Sequence, residues 1–302
     1  MLSVSPFSIP DRLADGLRAA DAGTRPVFEL AAAGHPLCDD LASVPANAEY
    51  ISIQGTAAGL SRLTTTPQLT AVWASSVTPQ LLRALAGAAR LRALSLYDVG
   101  KTDLAPVGEL STVEHLLIGW APHLVDVSWL RHLPKLRTLY LEDMKHLDLE
   151  TLPDLPHLQA LHIGGGMWST LKVESFAPLG RAPNLRYLAL SNVRSADGSL
   201  ASLASLTHLR ELLVPNFFSV EECAHLAASL PDVDGQILRP VFMEAKDDAL
   251  GKPTFPCGKC GGSRLMLTGR PALMLCPQCD AARIAKRVAR WEVARAVTVG
   301  PT

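Results

Sequence analysis

The chain has 302 residues, 48% of them hydrophobic and 19% charged, with a net charge of −1. That leaves room for about two domains, or for one solenoid with an appendage. No apolar run reaches the length of a membrane span, no basic-then-apolar leader occupies the first ten residues, and four of the six cysteines sit in two tight pairs, which argues against a disulfide-stapled secreted scaffold. The composition points to a soluble cytoplasmic protein.

Residues 1–47 read as an N-terminal helical cap. Pro10 and Asp11 open a helical pattern through Arg12, Leu13, Leu17 and Ala20 that Gly23 ends, and a second short element covers residues 27–33. A repeat array needs such a cover because its terminal apolar layer otherwise faces water.

From residue 48 to residue 217 one spacing, apolar-x-x-apolar-x-apolar, returns again and again. It reads Leu69/Val72/Ala74, Leu91/Leu94/Leu96, Val113/Leu116/Ile118, Leu136/Leu139/Leu141, Leu158/Leu161/Ile163, Leu185/Leu188/Leu190 and Leu209/Leu212/Val214, with a weaker first copy at Ala48/Ile51/Ile53. The steps between successive first positions from Leu69 onward are 22, 22, 23, 22, 27 and 24 residues. A fixed period in this range is the signature of a leucine-rich-repeat solenoid. Upstream of most copies the apolar positions recur every third residue, as in Val127/Leu130/Leu133 and Leu200/Leu203/Leu206. That spacing fits short 3₁₀ turns, in which residues i and i+3 line up. Each unit is therefore expected to be one strand of a parallel concave sheet followed by a tight 3₁₀ or helical return, an α/β repeat solenoid overall.

The periodicity resembles the short-repeat leucine-rich family, the internalin-like and phosphatase-regulator-like class. One departure stands out. The position three residues past the last strand leucine, an asparagine in that family, holds Val77, Val99, Ala121, Met144, Gly166, Val193 and Phe217. The backbone groups of that turn must find partners in another way.

Side chains alternate across a strand, so the residues between the buried positions face the concave side. All four tyrosines, Tyr50, Tyr97, Tyr140 and Tyr187, fall on outward positions, and Trp73, Trp120 and Trp168 lie on or just beyond them. Aromatic residues are only 5% of the chain, so their concentration on one face predicts a protein-binding patch, because Trp and Tyr dominate interface hot spots. Its expected members are Trp73, Tyr97, Trp120, Tyr140, Glu142, Asp143, His162, Trp168 and Tyr187. Sheet packing of aromatics is the competing reading. Glu142 and His162 could form an acid/base pair across neighbouring repeats, but no nucleophile motif, phosphate loop or second metal signature accompanies them, and the protein reads as a non-enzyme. The longest repeat carries Gly164-Gly165-Gly166-Met167-Trp168. It reads either as a flexible loop that presents Met167 and Trp168 beside the patch or as an insertion whose Trp168 folds back on its neighbour.

Residues 218–250 are expected to close the solenoid. A helix over residues 219–230 has Ser219 as N-cap and Glu221 and Glu222 in its first turn, and a strand over residues 236–242 follows it. Residues 251–280 then carry Cys257-Gly258-Lys259-Cys260, a gap of 15 residues, and Cys276-Pro277-Gln278-Cys279. Two such pairs at this separation match a four-thiolate zinc site, and the apolar stretches between them, turned at Gly269, look like a zinc ribbon. With every position filled by thiolate the zinc would be structural. Residues 281–302 form a basic helix and tail.

Charge divides along the chain. Residues 1–251 hold 19 Lys+Arg against 27 Asp+Glu, and residues 252–302 hold 9 against 2. Arg283, Lys286, Arg287 and Arg290 could therefore contact nucleic acid through its phosphates, or could neutralise the thiolate centre and the acidic solenoid. The leading expectation is a non-catalytic adaptor that takes a protein partner on its concave face, with no small-molecule substrate and no membrane. The alternative is a nucleic-acid-associated regulator that uses the cysteine unit and the basic helix.

Overall fold

The structure, a computed structural model, describes residues 7, 11–22, 36–166, 169–244 and 254–299. Each of the eight apolar-x-x-apolar-x-apolar copies becomes one strand, and a further strand precedes them. They are β1 (Cys38–Asp40), β2 (Tyr50–Ala58), β3 (Ala71–Ser75), β4 (Ala93–Tyr97), β5 (His115–Gly119), β6 (Thr138–Leu141), β7 (Ala160–Gly164), β9 (Tyr187–Ser191) and β11 (Glu211–Leu213). These nine strands form one parallel sheet in chain order, in regular register from β2 onward and with an irregular step between β1 and β2. The returns are short 3₁₀ turns such as Ala105–Glu109, Ser128–His132 and Ala201–Ser205, as the spacing of three requires. One return is a true helix, α2 (Pro79–Leu85), where Thr78 accepts from Leu81 N–H at the N-cap and Pro79 fills the first position. Leucines from strands and returns meet in one continuous core that runs the length of the array. This is a leucine-rich-repeat-like solenoid.

The missing asparagine ladder has a backbone replacement. Ser76, Asp98, Trp120, Asp143 and Asn192 occupy one equivalent position after their strands, and all five have positive φ, between 48° and 60°. The left-handed turn points backbone groups sideways at the next repeat. Ser76 N–H donates to Tyr97 O, Asp98 N–H to Gly119 O, and Val99 N–H to Trp120 O, at 3.0–3.3 Å. Hydrogen bonding thus continues past the strand ends without a side-chain ladder.

Asn192 also pins the long repeat. Its amide donates to the carbonyls of Gly166 and Ser169, and its Oδ1 accepts from Thr170. The insertion then forms β8 (Leu171–Val173), which pairs in parallel with β10 (Val193–Ser195). Gly165 sits packed closely among its neighbours. A Cβ at Gly165 would lie 2.5 Å from Ser169 O, 2.6 Å from Leu171 N and 2.8 Å from Asn192 O, so glycine is there because backbone fills the space. Met167 and Trp168 lie outside the described residues. Gly165→Ala is expected to cost about 2 kcal/mol, in the range of overpacked sites, which urea unfolding would show; an unchanged midpoint would contradict the close packing.

Of the expected N-terminal cap, residues 23–35, with the second element, lie outside the described residues, and the described part is arranged differently from a simple end cap. β1 and its following 3₁₀ turn, with buried Leu41, close the end of the sheet, so the solenoid starts ten residues before residue 48. Helix α1 (Asp11–Asp21) lies instead on the concave face, where Leu17 and Ala20 pack with Tyr50, Ala71, Trp73, Ala93 and Leu117.

At the other end α3 (Val220–Ser229) starts at Ser219, whose hydroxyl accepts from Glu222 N–H. Glu222 accepts in turn from Leu200 N–H at 2.6 Å and Ser199 Oγ at 3.1 Å, tying the helix to the last repeat. The strand expected over residues 236–242 is displaced: residues 236–238 form a 3₁₀ turn, and β12 (Val241–Glu244) joins the cysteine unit, pairing antiparallel with β13 (Leu265–Leu267), which pairs with β14 (Leu273–Leu275). A two-stranded hairpin has an open apolar edge and is marginal in water, and β12 supplies the third strand.

Candidate functional site

The cysteine unit is built by its turns. Gly261 has φ +74° and closes the first knuckle, where its N–H donates to Cys257 O and Cys257 N–H donates to Gly262 O. In the second knuckle Cys276 N–H donates to Asp280 Oδ2, and Asp280 N–H donates back to Cys276 O. The four sulfurs of Cys257, Cys260, Cys276 and Cys279 lie within 4.8 Å of one another, with Cys260 and Cys276 3.5 Å apart. Tetrahedral zinc at about 2.3 Å from each sulfur requires separations of roughly 3.8 Å. Backbone N–H groups of Lys259 and Cys260 point at Cys257 and hold its thiol down to about 6, while hydrogen bonding to Cys260 pushes Cys279 up to about 12. Four soft donors converging with amide hydrogen bonds to one sulfur are compatible with a structural zinc site.

This unit is docked on the solenoid. At the hairpin tip Gly269, with φ +87°, meets the start of α3 so closely that a Cβ would come 2.7 Å from Val220. Asn216 grips the tip from both sides: its amide donates to Leu267 O at 3.0 Å and its carbonyl accepts from Gly269 N–H at 2.6 Å. Arg270 N–H donates to Phe218 O. Helix α4 (Ala281–Val299) then lies against α3, burying Trp291 and Ala294 with Val220, Ala224 and Ala227.

That docking uses the basic residues that the sequence suggested for nucleic acid. Arg287 is only 7% exposed, because its guanidinium donates to the carbonyls of Arg270 and Pro271. Arg290 forms a two-pronged pair with Glu221 of α3 at 2.6 and 3.1 Å, and Arg283 pairs with Asp280. Arg287 is thereby withdrawn from the surface, while Arg283, Lys286 and Arg290 stay exposed. Arg283, Arg287 and Arg290 hold the helix and the cysteine unit in place.

The concave sheet is divided. Over β2 to β5 it is covered: Trp73 is 6% exposed, and Tyr50, Ser52, Ser95, His115 and Leu117 are buried. Trp73 therefore offers no area to a partner in this arrangement, contrary to expectation. Arg92 fixes the end of α1 by contacting Asp21 at 3.0 Å while also holding Glu114 through two 3.0 Å contacts. Beneath them His115 Nδ1 sits 3.2 Å from Thr138 Oγ1, and its Nε2 is 3.8 Å from Asp21. Burial pushes the His115 pKa down to about 4, so the ring is neutral.

From β6 onward the face opens. Tyr140 and His162 stack with centroids 4.8 Å apart, and His162 Nε2 lies 2.9 Å from Glu142 Oε2. Tyr187 follows on β9, half-buried. From the middle of β3 to the ends of β4 and β5, Trp73, Tyr97 and Trp120 make an oblique ladder with centroid separations of 6.3 and 5.9 Å. Its last member, Trp120, is 51% exposed. Asp143 holds a left-handed turn beside it. The sequence-predicted residues Tyr97, Trp120, Tyr140, Glu142, Asp143, His162 and Tyr187 thus line this face, and Trp168 lies outside the described residues.

Arg92 escaped sequence reasoning, as did the cover by α1. The signal for the arginine was present: one position ahead of β4, β5, β6, β7, β9 and β11 the chain reads Arg92, Glu114, Arg137, Gln159, Arg186 and Arg210, a largely basic row along that part of one rim of the concave face. No signal marks the landing place of α1.

No family model matches the chain, and no curated protein matches it in sequence. Similar solved structures include a leucine-rich-repeat protein of Leptospira interrogans, at 14% identity and TM-score 0.44, with 57% of this chain and 43% of that one covered. An internalin of Listeria monocytogenes is 15% identical over 62% of this chain and 79% of its own, with a TM-score of 0.33. Internalin C2 of the same organism is 18% identical over 78% and 87%, with a TM-score of 0.37. This chain spans less than half the length of the Leptospira protein. The architecture rests on the chain's own nine-stranded parallel sheet. No helix among the described residues is long and apolar enough to cross a membrane.

Proposed function

We propose that this protein is a non-catalytic scaffold that binds a protein partner on the open part of its concave sheet. The observation that carries this reading is the preformed row of Trp120, Tyr140, His162 and Glu142, ordered by ring contacts and a 2.9 Å contact, with Trp120 51% exposed at one end and the other three partly exposed. Rigid aromatics lose little entropy on binding, which suits them to be anchors. Tyr97, Asp143 and Tyr187 extend the surface, and Arg137 and Arg186 flank it on the basic rim. Glu142 serves to orient His162, since no activated serine or cysteine nucleophile adjoins the pair among the described residues. Cys257, Cys260, Cys276 and Cys279 hold a structural Zn²⁺, which supplies folding energy to the cysteine unit and leaves no position for a catalytic water. Thiolates kept for metal suit a reducing compartment, and we place the protein in the cytoplasm.

The test is capture of partners from native extract, with and without nuclease treatment, by the intact chain and by a Trp120→Ala/Tyr140→Ala variant. A defined protein retained by the first and lost at least tenfold by the second, at equal thermal stability, is the expected result. Capture that ignores the substitutions and disappears with nuclease treatment would move the function to the cysteine unit and α4.

A further inference from the structure

The covered half of the concave face is shaped by what already lies on it. Helix α1 places Leu17 and, three residues on, Ala20 against the floor formed by Tyr50, Ala71, Trp73, Ala93 and Leu117. The next residue, Asp21, reaches Arg92, which Glu114 holds in place from the other side. This is recognition of an amphipathic helix in a groove: apolar and small residues at helical spacing enter the floor, and a carboxylate meets a fixed guanidinium on the rim. Among the described side chains of α1 two apolar groups reach the sheet, the Asp21–Arg92 pair is about half exposed on both sides, and an isolated helix of 11 residues is marginal in water.

From these contacts we infer that the face over β2 to β5 is a second partner-binding site, a groove for an acidic amphipathic helix of another protein, and that α1 is its resident competitor. The inference rests on reading the concave face as protein-binding. The incoming helix carries an apolar residue, a small residue three further on and a carboxylate immediately after, so that it can take over the floor and Arg92 together. Displacement of α1 exposes Trp73 and extends the open aromatic row of β6 to β9 across the whole face. A ligand that binds both halves therefore meets a tethered competitor on one of them, and its apparent affinity is reduced by the fraction of chains whose groove is free.

The probe is a synthetic peptide of residues 11–22, measured by fluorescence anisotropy against the full chain, against the full-length Leu17→Asp variant, and against Leu17→Asp/Arg92→Glu. The variant weakens the resident helix and leaves the groove intact. At least tenfold tighter peptide binding to Leu17→Asp than to the unmodified chain is expected, with loss of that binding when Arg92→Glu is added or when the peptide carries Asp21→Lys. Hydroxyl-radical labelling of Trp73 supplies a readout independent of the peptide: protected in the unmodified chain, labelled in Leu17→Asp, and protected again on peptide addition. A Leu17→Asp chain with unaltered circular dichroism that leaves Trp73 protected, or that binds the peptide no better than the original, overturns the proposal. So does an unmodified chain that forms a concentration-dependent dimer dissolved by the peptide, because the groove would then serve a second copy through exchange of α1. The Trp120/Tyr140 capture experiment reads the other half of the face, so the two readings can fail separately.

Discussion

Replacing Cys257 and Cys276 together by serine, one from each knuckle, is expected to abolish zinc binding and unfold the cysteine unit while the solenoid stays folded. The unit is a three-residue by three-residue hairpin with two turns and one borrowed strand, too small to be stable through core burial. Structural zinc in small thiolate sites contributes an apparent free energy of about 10–16 kcal/mol, so its loss outweighs everything else that holds the hairpin. The solenoid has its own continuous leucine core and does not depend on the metal. Metal content should fall from one zinc per chain to near zero. Amides of β13 and β14 should exchange at unfolded rates, and Trp291, 2% exposed in the intact structure, should shift its emission to the red as α4 loses its anchor. Strands β3 to β7 should keep their protection. Retention of a full equivalent of zinc, or unaltered exchange in the hairpin, would contradict the assignment.

The second large effect is a pH dependence centred on His115. Its ring is buried under the end of α1, facing Thr138 and Asp21, with Glu114, Arg92 and Arg137 around it. Burial outweighs the two carboxylates and holds the folded-state pKa near 4, below the ordinary 6.5. The unfolded chain therefore takes up a proton at 6.5 that the folded chain refuses until about 4. Between these values the unfolded state holds more protons, so stability is full above pH 6.5 and declines as the pH is lowered toward 4. At about 1.4 kcal/mol per pH unit the whole loss reaches roughly 3 kcal/mol. Glu114 acts lower down: Arg92 holds its carboxyl below the usual value, and its contribution is lost only as the pH falls through that depressed value. Denaturant unfolding from pH 7.5 to 4 should show the His115 loss in the unmodified chain and a flatter profile in His115→Asn. Identical slopes in the two proteins would show that His115 is not the titrating group.

The repeat array was legible because each unit contacts its neighbours through the same few positions. Leu94, Leu116, Leu139 and Leu161 sit at one place in successive strands, and a contact repeated at a constant step becomes a period in the sequence. The four converging cysteines were legible for a related reason, since a knuckle brings two cysteines together within four residues and needs only local backbone. Outward-facing aromatics could be placed on the concave side by alternation alone. Their exposure could not, because whether Trp73 is covered and Trp120 is open depends on a helix elsewhere in the chain.

What the sequence by itself determined is the solenoid, its direction, its buried rows and the four converging thiols, all of which follow from short-range or strictly repeated contacts. Only the tertiary structure decided that α1 lies across β2 to β5, that β12 leaves the solenoid for the cysteine hairpin, and that Arg287 and Arg290 are docking residues. These are single, non-repeated contacts: Asp21 with Arg92, Asn216 with Gly269, Glu221 with Arg290. Each joins residues 50 to 100 positions apart, without a period to announce it, and is selected by the shape and charge of surfaces that exist only once the repeats have stacked.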